Sequence, residues 1–216
     1  MDAKLVIFDF DGTLADTQTI ILETYKSTIE TLKLSQRKTP ELKATIGLPL
    51  RDGFVKLYPE LSSVEIDLCC DTYRNIFNKN KQNYVPELFP GVEEVLETLR
   101  LRNITMSIAS SRSRVSLEEF CREKHISRYF ALILGAEDVK FHKPNPWPVT
   151  YTLERMNVSP SDAVVVGDMP YDIKMGMDAG CRTVGVSYGN ATFSDLIEAG
   201  ANRVIPEISL LPDLEL

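Results

Sequence analysis

The stretch that decides the fold is residues 4–13, Lys-Leu-Val-Ile-Phe-Asp-Phe-Asp-Gly-Thr. A short apolar run rich in β-formers leads into Asp11 and Gly12, which together form a turn signal, so the stretch predicts a buried strand that ends in a turn. Side chains two positions apart in a strand point the same way, so Asp9 and Asp11 can face one pocket. Asp-Gly also marks ordinary turns, and this motif alone supports a functional site and a plain turn about equally.

The chain beyond this strand divides into two kinds of sequence. Residues 17–83 place apolar residues at helical spacing, and breakers such as Gly47 and Pro59 divide them into about four helices without a convincing strand. From residue 85 onward, strands alternate with helices, which predicts a parallel sheet covered on both faces. We therefore predict an α/β fold in which residues 1–15 and 85–216 form a Rossmann-like doubly wound core and residues 16–84 form an inserted α-helical domain.

The predicted elements after the insert are, in chain order, helix 92–102, strand 104–109, helix 114–124, strand 132–135, helix 146–156, strand 163–166, helix 172–179, strand 183–186, helix 194–199 and strand 203–205. In open α/β sheets, functional groups collect beyond the carboxyl ends of the strands. Polar residues that directly follow predicted strands are therefore the candidates for a functional site.

The composition fits a globular protein that acts away from membranes and nucleic acids. Its 216 residues carry 24 basic and 31 acidic side chains, a net charge of −7, and 44% are hydrophobic, which excludes general disorder. The acidic balance argues against nucleic acid as a partner and, at first sight, against an anionic substrate. No apolar run approaches the ~18 residues of a membrane span, and the first residues lack the pattern of a signal peptide. The cysteines lack C-x-x-C spacing, which favours free thiols and a cytoplasmic location; they are Cys69, Cys70, Cys121 and Cys181.

Three further polar clusters follow predicted strands. Ser110 and Ser111 close one strand, where a hydroxyl and helix-start amides can hold phosphate oxygens, although serine is also a common N-cap. Lys143 lies in a proline-rich loop, where its ammonium can neutralise a carboxylate and a phosphoryl group, although a loop lysine is usually just solvated. Asp168 ends an apolar strand and Asp172 follows one helical turn later, which suits either Mg²⁺ ligation or helix capping. Each cluster has an ordinary structural explanation, but the ordered set on separate strand ends of one sheet favours a shared catalytic site.

Taken together, the motifs D-x-D-G-T, strand-end Ser, Lys-Pro and G-D-x-x-x-D resemble those of the haloacid dehalogenase superfamily, in the style of its phosphoglycolate-phosphatase-like branch. The resemblance spans essentially the whole chain, including residues 185–189 and 199–205. The helical insert resembles the C1 cap of that superfamily, and we call it the cap. The motifs are specific for the superfamily and not for a substrate. The resemblance implies a Mg²⁺-dependent phosphatase that acts on a small phosphorylated metabolite through an aspartyl-phosphate.

The resemblance also implies a role for each residue of the core motifs. Asp9 would be the nucleophile and a metal ligand, and Asp11 would be the general acid/base and would give its carbonyl to Mg²⁺. Lys143 would stabilise charge. Asp168 would hold the metal, and Asp172 would support it directly or through water.

Four residues are expected to bind the substrate. Thr13, Ser110 and the amide of Ser111 would hold the phosphate oxygens. Arg51 is the candidate in the cap for the non-phosphate end of the substrate, and a plain solvent-facing arginine is an equally good explanation of it.

The same resemblance bears on several alternative activities. Asp11 argues against haloalkanoate dehalogenation, the lack of a histidine at residues 19–22 argues against a sugar phosphomutase, and Leu50 stands where phosphonoacetaldehyde hydrolases carry a lysine. An inorganic pyrophosphatase remains as an alternative, and the alternative of a different class is a phosphate-binding regulatory module without turnover. The sequence is compatible with either a monomer or a homodimer. Because a bound cation inverts the local field, the net charge does not exclude an anionic substrate after all.

Overall fold

Alternation along the first strand decides how the sheet is buried. As a computed structural model, the structure describes residues 2–215. Strand β1 (Leu5–Phe8) is fully buried on both sides: Val6 and Phe8 belong to one apolar cluster, whereas Leu5 and Ile7 belong to another. Because successive side chains of a strand point to opposite faces, helices must cover both faces of this sheet.

The core sheet is parallel and has β1 near its middle. Its order is β5 (Phe130–Leu134), β4 (Thr105–Ala109), β1, β6 (Ala163–Gly167), β7 (Arg182–Val186) and β8 (Arg203–Ile205). Phe8 lies opposite Ile108 of β4 and Val166 of β6. The strand order reverses at β1, which opens a crevice beyond the carboxyl ends of these three strands. The predicted Rossmann-like doubly wound fold is confirmed.

Five helices accompany the core sheet. They are α5 (Val92–Leu101), α6 (Arg114–Glu123), α7 (Trp147–Met156), α8 (Pro170–Asp178) and α9 (Phe193–Glu198). Helices α5 and α6 contribute to the cluster that contains Val6 and Phe8, and α7 and α8 contribute to the opposite one. Their bounds agree with the sequence prediction to within one residue, except that α8 begins two residues earlier than predicted. Proline is favoured in the first turn, and the Asp172 carboxylate accepts the N–H of Met169 and so starts the helix.

The inserted segment forms the four helices expected from its sequence. These are α1 (Gln18–Thr31), α2 (Thr39–Lys43), α3 (Leu50–Leu57) and α4 (Ser63–Asn80). They pack around an apolar cluster of their own, at whose centre the ring of Tyr25 lies 5.2 Å from that of Phe54 and 4.9 Å from that of Tyr73. Helix α4 begins with a capping box in which Ser62 and Glu65 bond each other's backbone N–H groups.

Two short strands connect the core with the cap, and the sequence did not predict them. Strand β2 (Ala15–Asp16) pairs antiparallel with β3 (Glu87–Leu88). They bring together the two points at which the chain enters and leaves the helical insert. Two-residue strands carry no periodic signal that a sequence pattern can reveal. The predicted domain boundaries at 15/16 and 84/85 stay predictions.

Two expectations from composition concern membranes and thiols. Across residues 2–215, none of the helices combines the length and the apolar character that crossing a bilayer requires. All four cysteines are free and buried, as expected from their spacing.

The packing of the cap predicts a position-specific loss of stability. Phe54 is fully buried in the cap cluster, whereas its neighbour Val55 is 42% exposed. We expect Phe54→Ala to lower the free energy of unfolding by about 3–5 kcal/mol, because it removes a buried ring and leaves a cavity. Val55→Ala is the matched control and should change it by less than about 1 kcal/mol. Denaturant unfolding measures both, and equal losses would contradict the packing described for the cap.

Candidate active site

The candidate active site lies where β1, β4 and β6 end side by side. Asp9 follows β1 directly, and its N–H donates to the carbonyl of Val166 in β6 at 2.8 Å. Ser110 follows β4 directly and Asp168 follows β6 directly. Because β1 lies between the other two strands, these three residues, predicted from separate strand ends, meet at one edge of the sheet.

Lys143 reaches this edge from the loop between β5 and α7 and is buried between two carboxylates. Its Nζ lies 2.6 Å from Asp9 Oδ1 and 2.6 Å from Asp172 Oδ1, and the residue is 5% exposed. Burial by itself lowers the pKa of the Lys143 ammonium, but the carboxylates of Asp172 and Asp9 outweigh this effect and raise the pKa above its usual value. The lysine therefore stays charged and fixes both carboxylates.

Asp172 is held through both of its oxygens. Oδ1 accepts from Lys143, and Oδ2 accepts the N–H of Met169 at 3.1 Å at the start of α8. This arrangement favours a role in orienting Lys143. The expectation that Asp172 ligates a metal stays a prediction.

The second oxygen of Asp9 has a different environment. Among residues 2–215, Asp9 Oδ2 is buried without a hydrogen-bond partner. Burial raises the pKa of Asp9 well above its usual value; Lys143 opposes this shift, and the carboxylates of Asp172 and Asp168 add to it. A buried, unpartnered carboxylate oxygen is costly unless a ligand completes it, so Oδ2 is the atom best placed to attack an electrophile or to bind a cation.

Asp168 is held by a residue of the loop between β7 and α9. Its Oδ2 accepts hydrogen bonds from the backbone N–H and from Nδ2 of Asn190, both at 2.7 Å, and Thr13 Oγ1 donates to its Oδ1 at 3.3 Å. Gln18, the first residue of α1, donates from Nε2 to Asn190 Oδ1 at 3.0 Å. Burial and the Asp172 carboxylate raise the pKa of Asp168 to about 7, although the Asn190 hydrogen bonds lower it. The start of the cap is thus linked through Asn190 to Asp168.

Two glycines let the backbone approach Asp168 closely. A Cβ at Gly12 would lie 2.2 Å from Asp168 Oδ2, and a Cβ at Gly189 would lie 2.4 Å from the Cβ of Asp168. Gly12 also has φ +88°, a conformation that favours glycine. Any side chain at either position would therefore displace Asp168.

The acidic cluster fits a divalent cation. Asp9, Asp168 and Asp172 each offer a carboxylate oxygen, and these atoms lie within 4.8 Å of one another. Mg²⁺ prefers one or two carboxylates together with phosphate and water. Asp9 Oδ2 has no partner, and repulsion between the carboxylates contributes to the raised pKa values of Asp9 and Asp168. An added cation would therefore stabilise the cluster. These residues could hold a metal, with Asp9 and Asp168 the best placed; the carbonyl of Asp11 stays a predicted ligand.

Asp11 points to a different partner. The Arg112 guanidinium grips its carboxylate, with Nη2 2.7 Å from Oδ1 and Nε 3.1 Å from both oxygens. The Arg112 side chain is 9% exposed, and its Cζ lies 5.6 Å from the ring centre of Phe10 and 5.1 Å from that of Phe77 in α4. Through the ring of Phe77, this pair joins the core to the cap on the side of Asp11.

The residues expected to hold phosphate lie near these carboxylates, but one hydroxyl is used otherwise. Ser110 is buried, and its Oγ accepts the N–H of Arg112 at 3.2 Å. Thr13 is fully buried beside Asp168. The Oγ of Ser111 donates to the carbonyl of Gly47 in the cap at 2.7 Å. The phosphate-binding roles of Thr13, Ser110 and the Ser111 amide stay predictions.

Arg51 is not brought to this cluster. Its guanidinium donates to Asp67 Oδ1 at 3.2 Å and to Ser63 Oγ at 2.7 Å, which joins α3 to α4 inside the cap. The expected contact of Arg51 with the substrate stays a prediction, and this ion pair supports the plainer explanation of the residue.

Sequence reasoning did not assign roles to Arg112, Asn190 or Gln18. Arg112 directly follows the Ser110-Ser111 pair, and an arginine beside a suspected phosphate site is a signal that could have been weighed. Asn190 follows Gly189 in a strand-end loop, which is a weaker signal of the same kind. Gln18 carries no signal in the sequence, because only the fold brings it to Asn190.

The sequence and the structure are both similar to known proteins. Residues 6–186 match the haloacid dehalogenase-like hydrolase family. The chain is 31% identical over 188 residues to pyrophosphatase PpaX of Oceanobacillus iheyensis, covering 87% of this chain and 85% of that protein. It is 35% identical over 185 residues to a Clostridium perfringens protein provisionally named pyrophosphatase PpaX, covering 86% and 84%.

Among solved structures, the fold is similar to that of a predicted phosphatase from Clostridium acetobutylicum. The TM-score is 0.87 at 25% identity, over 99% of this chain and 98% of that one. The family match covers the strand-end motifs and the predicted strands except the last, 203–205, and the aligned structure covers both core and cap. The chain therefore belongs to the haloacid dehalogenase-like hydrolase family and is an enzyme of its phosphatase type.

Proposed function

We propose that this protein is a Mg²⁺-dependent phosphatase that hydrolyses a small phosphorylated metabolite through an aspartyl-phosphate on Asp9. The observation that carries the proposal is the state of the Asp9 carboxylate, which Lys143 holds by one oxygen while the other is buried and unpartnered. Its free thiols suit an enzyme that works in the cytoplasm. Mg²⁺, when bound, would supply charge that neutralises the phosphoryl oxygens.

The reaction divides into two steps at phosphorus. In the first step Asp9 Oδ2 attacks phosphorus, the bond from phosphorus to the leaving oxygen breaks, and Asp11 gives that oxygen a proton. In the second step water attacks the phosphoryl group on Asp9 and Asp11 takes a proton from the water. The bond between phosphorus and Asp9 Oδ2 breaks, which restores the Asp9 carboxylate and releases inorganic phosphate. Lys143 neutralises the charge on Asp9 and on the phosphoryl oxygens in both steps.

A pyrophosphatase is the second candidate, because the relatives with 31% and 35% identity bear that name. The same residues would serve it, with orthophosphate as the leaving group. A phosphate-binding module without turnover is disfavoured because Asp9, Asp11, Lys143 and Asp168 are all in place.

The nucleophile is tested by one substitution. We expect wild-type protein with Mg²⁺ to release phosphate from p-nitrophenyl phosphate, and Asp9→Asn to release none above background, because the amide cannot form the phosphoryl bond. The matched control is Asp178→Asn, which removes an exposed carboxylate paired with Lys174 and should keep wild-type rates. If wild-type protein turned over no phosphate ester and no pyrophosphate, the binding-module alternative would replace this proposal.

The raised pKa of Asp168 predicts how metal binding depends on pH. Because its folded-state pKa of about 7 exceeds the unfolded value, the protonated form stabilises the metal-free protein at low pH, and this contribution is lost as pH rises through 7. Mg²⁺ needs the ionised form, so its apparent affinity should fall as pH falls below 7, by up to about tenfold per pH unit. The rise in Tm caused by Mg²⁺ should therefore be larger at pH 8 than at pH 6. An equal rise in Tm at both pH values would contradict this prediction. An unchanged difference between pH 8 and pH 6 in Asp168→Asn would also contradict it.

The contact between Asn190 and Asp168 predicts a second effect on the metal. Asn190→Ala removes a hydrogen bond that orients Asp168, so Mn²⁺ should bind about 10–100-fold more weakly. Gln18→Ala removes only the bond that orients Asn190 and should have a smaller effect in the same direction. Calorimetric titration with Mn²⁺ measures both affinities, and Gln82→Ala, at a residue outside the site, is the control. Wild-type affinity in Asn190→Ala would refute the positioning role.

A further inference from the structure

The buried pair of Asp11 and Arg112 conflicts with the proposed role of Asp11. A carboxylate held by two nitrogens of a guanidinium has both of its oxygens engaged. While it is paired in this way, Asp11 does not turn a free oxygen toward a leaving group. Asp11 can therefore contact the leaving oxygen only after Arg112 has released it.

Releasing Asp11 leaves a buried cation without a partner. The Arg112 side chain is 9% exposed, and Phe10 and Phe77 flank its guanidinium. Its other described side-chain hydrogen bond runs from Nη1 to Ser116 Oγ at 2.9 Å and involves no charged acceptor. The Asp9 carboxylate also attracts the guanidinium, but Asp9 is already paired with Lys143. Leaving a buried charge unpaired is strongly unfavourable, so a second anion must replace Asp11.

The position of Arg112 indicates where that anion would come from. Its backbone N–H donates to Ser110 Oγ, and its side chain contacts Asp11. Because Asp11 must touch the leaving oxygen, Arg112 lies on the leaving-group side of the phosphoryl site. Phe77 belongs to α4, so the cap closes this region on its far side. An anion carried by the leaving group itself would arrive beside the guanidinium.

We propose that Arg112 forms a subsite for an anionic leaving group, and that its transfer from Asp11 to this anion frees the Asp11 carboxylate to contact the leaving oxygen. The planar fork of a guanidinium fits a carboxylate or a phosphate equally well. The preferred substrates are then phosphate esters or anhydrides whose leaving group carries its own negative charge, namely a carboxylate or a second phosphate. Phosphate esters of neutral alcohols leave Arg112 on Asp11 and react slowly. This inference rests on the proposed phosphatase function and names the class of its substrate.

The kinetic experiment compares two esters that differ in one charge. 2-Phosphoglycolate carries a carboxylate on its leaving group, whereas ethylene glycol monophosphate carries a neutral hydroxyl, and pyrophosphate is a second anionic substrate. In wild-type protein we expect a higher kcat/KM for the anionic substrates. In Arg112→Gln the ratio of anionic to neutral kcat/KM should fall by at least about 30-fold, because a buried charge pair with the substrate is lost. Arg112→Lys keeps the positive charge but loses the planar pair of donors, so its ratio of anionic to neutral kcat/KM should lie between those of wild-type protein and Arg112→Gln.

Two further variants serve as controls. Arg114→Gln changes the next arginine along α6, whose exposed side chain pairs with Glu118 and Asp138, and it should retain the wild-type preference. Asp11→Asn should slow all substrates together, by about 10²–10⁴-fold, because it removes the proton donor. If Arg112→Gln also slows the anionic and neutral esters equally, or slows neither, Arg112 is not a leaving-group subsite and the inference is overturned, while the phosphatase function stands.

A binding experiment tests the subsite without turnover. With saturating Mg²⁺, calorimetry compares methylenediphosphonate, which carries a second anionic group, with methylphosphonate, which does not. Wild-type protein should prefer the diphosphonate, and Arg112→Gln should lose most of this preference while remaining folded at the assay temperature, although its Tm should fall because Asp11 loses its buried partner. If Arg112→Gln keeps the full preference, the inference is wrong. If the wild-type protein hydrolyses nothing but shows the Arg112-dependent preference, the proposed function fails and the subsite stands.

Discussion

The buried ion pair of Lys143 with Asp9 and Asp172 is the interaction on which the rest of the site depends. It joins the end of β1, the loop after β5 and the start of α8, at 2.6 Å on each side. Removing three charges from water is costly, and the cost is offset only when all three are paired and hydrogen-bonded. The three segments therefore hold one another in place. Asp9 keeps one oxygen bound to the lysine and one oxygen free for chemistry.

The site has one rigid side and one side shared with the cap. Asp9 and Asp168 directly follow the fully buried strands β1 and β6, so strand register sets their spacing. Lys143 comes from a loop, and its bonds to Asp9 and Asp172 fix its position. Arg112, which holds Asp11, lies against Phe77 of the cap instead. Such a division suits a phosphatase, since the phosphoryl group and metal need fixed geometry and the leaving group differs among substrates. Family membership alone therefore says little about the substrate, whereas the cap-facing residues bear on it.

Much of the fold could be predicted from the sequence because its strands and helices depend on the spacing of apolar residues in short segments. The apolar run of residues 5–8 predicted a buried strand. The alternation of strands and helices predicted a parallel sheet covered on both faces. The short strands β2 and β3 escaped prediction because two residues have no periodicity. The start of α8 was misplaced by two residues, since its capping by Asp172 is visible only as a side-chain contact.

The candidate site was predictable for a similar reason. Parallel strands end at one edge, so motifs that follow strands must meet there, and Asp9, Ser110, Lys143 and Asp168 could be grouped without a structure. Their partners could not be assigned in this way. Arg112 grips Asp11 across 101 positions of the chain, and Gln18 reaches Asn190 across 172. No local pattern encodes such contacts.

The sequence by itself determined the fold class, the cap, the family resemblance and the set of reacting residue types, because each depends on short-range order along the chain. Only the tertiary structure decided which carboxylate oxygen is free, that Asp172 is bound to Lys143, that Arg51 stays within the cap and that Asp11 is held by Arg112. The physical reason is that hydrogen bonds and burial are fixed by packing between distant segments. Those contacts, more than the motifs, bear on which leaving group the enzyme can accept.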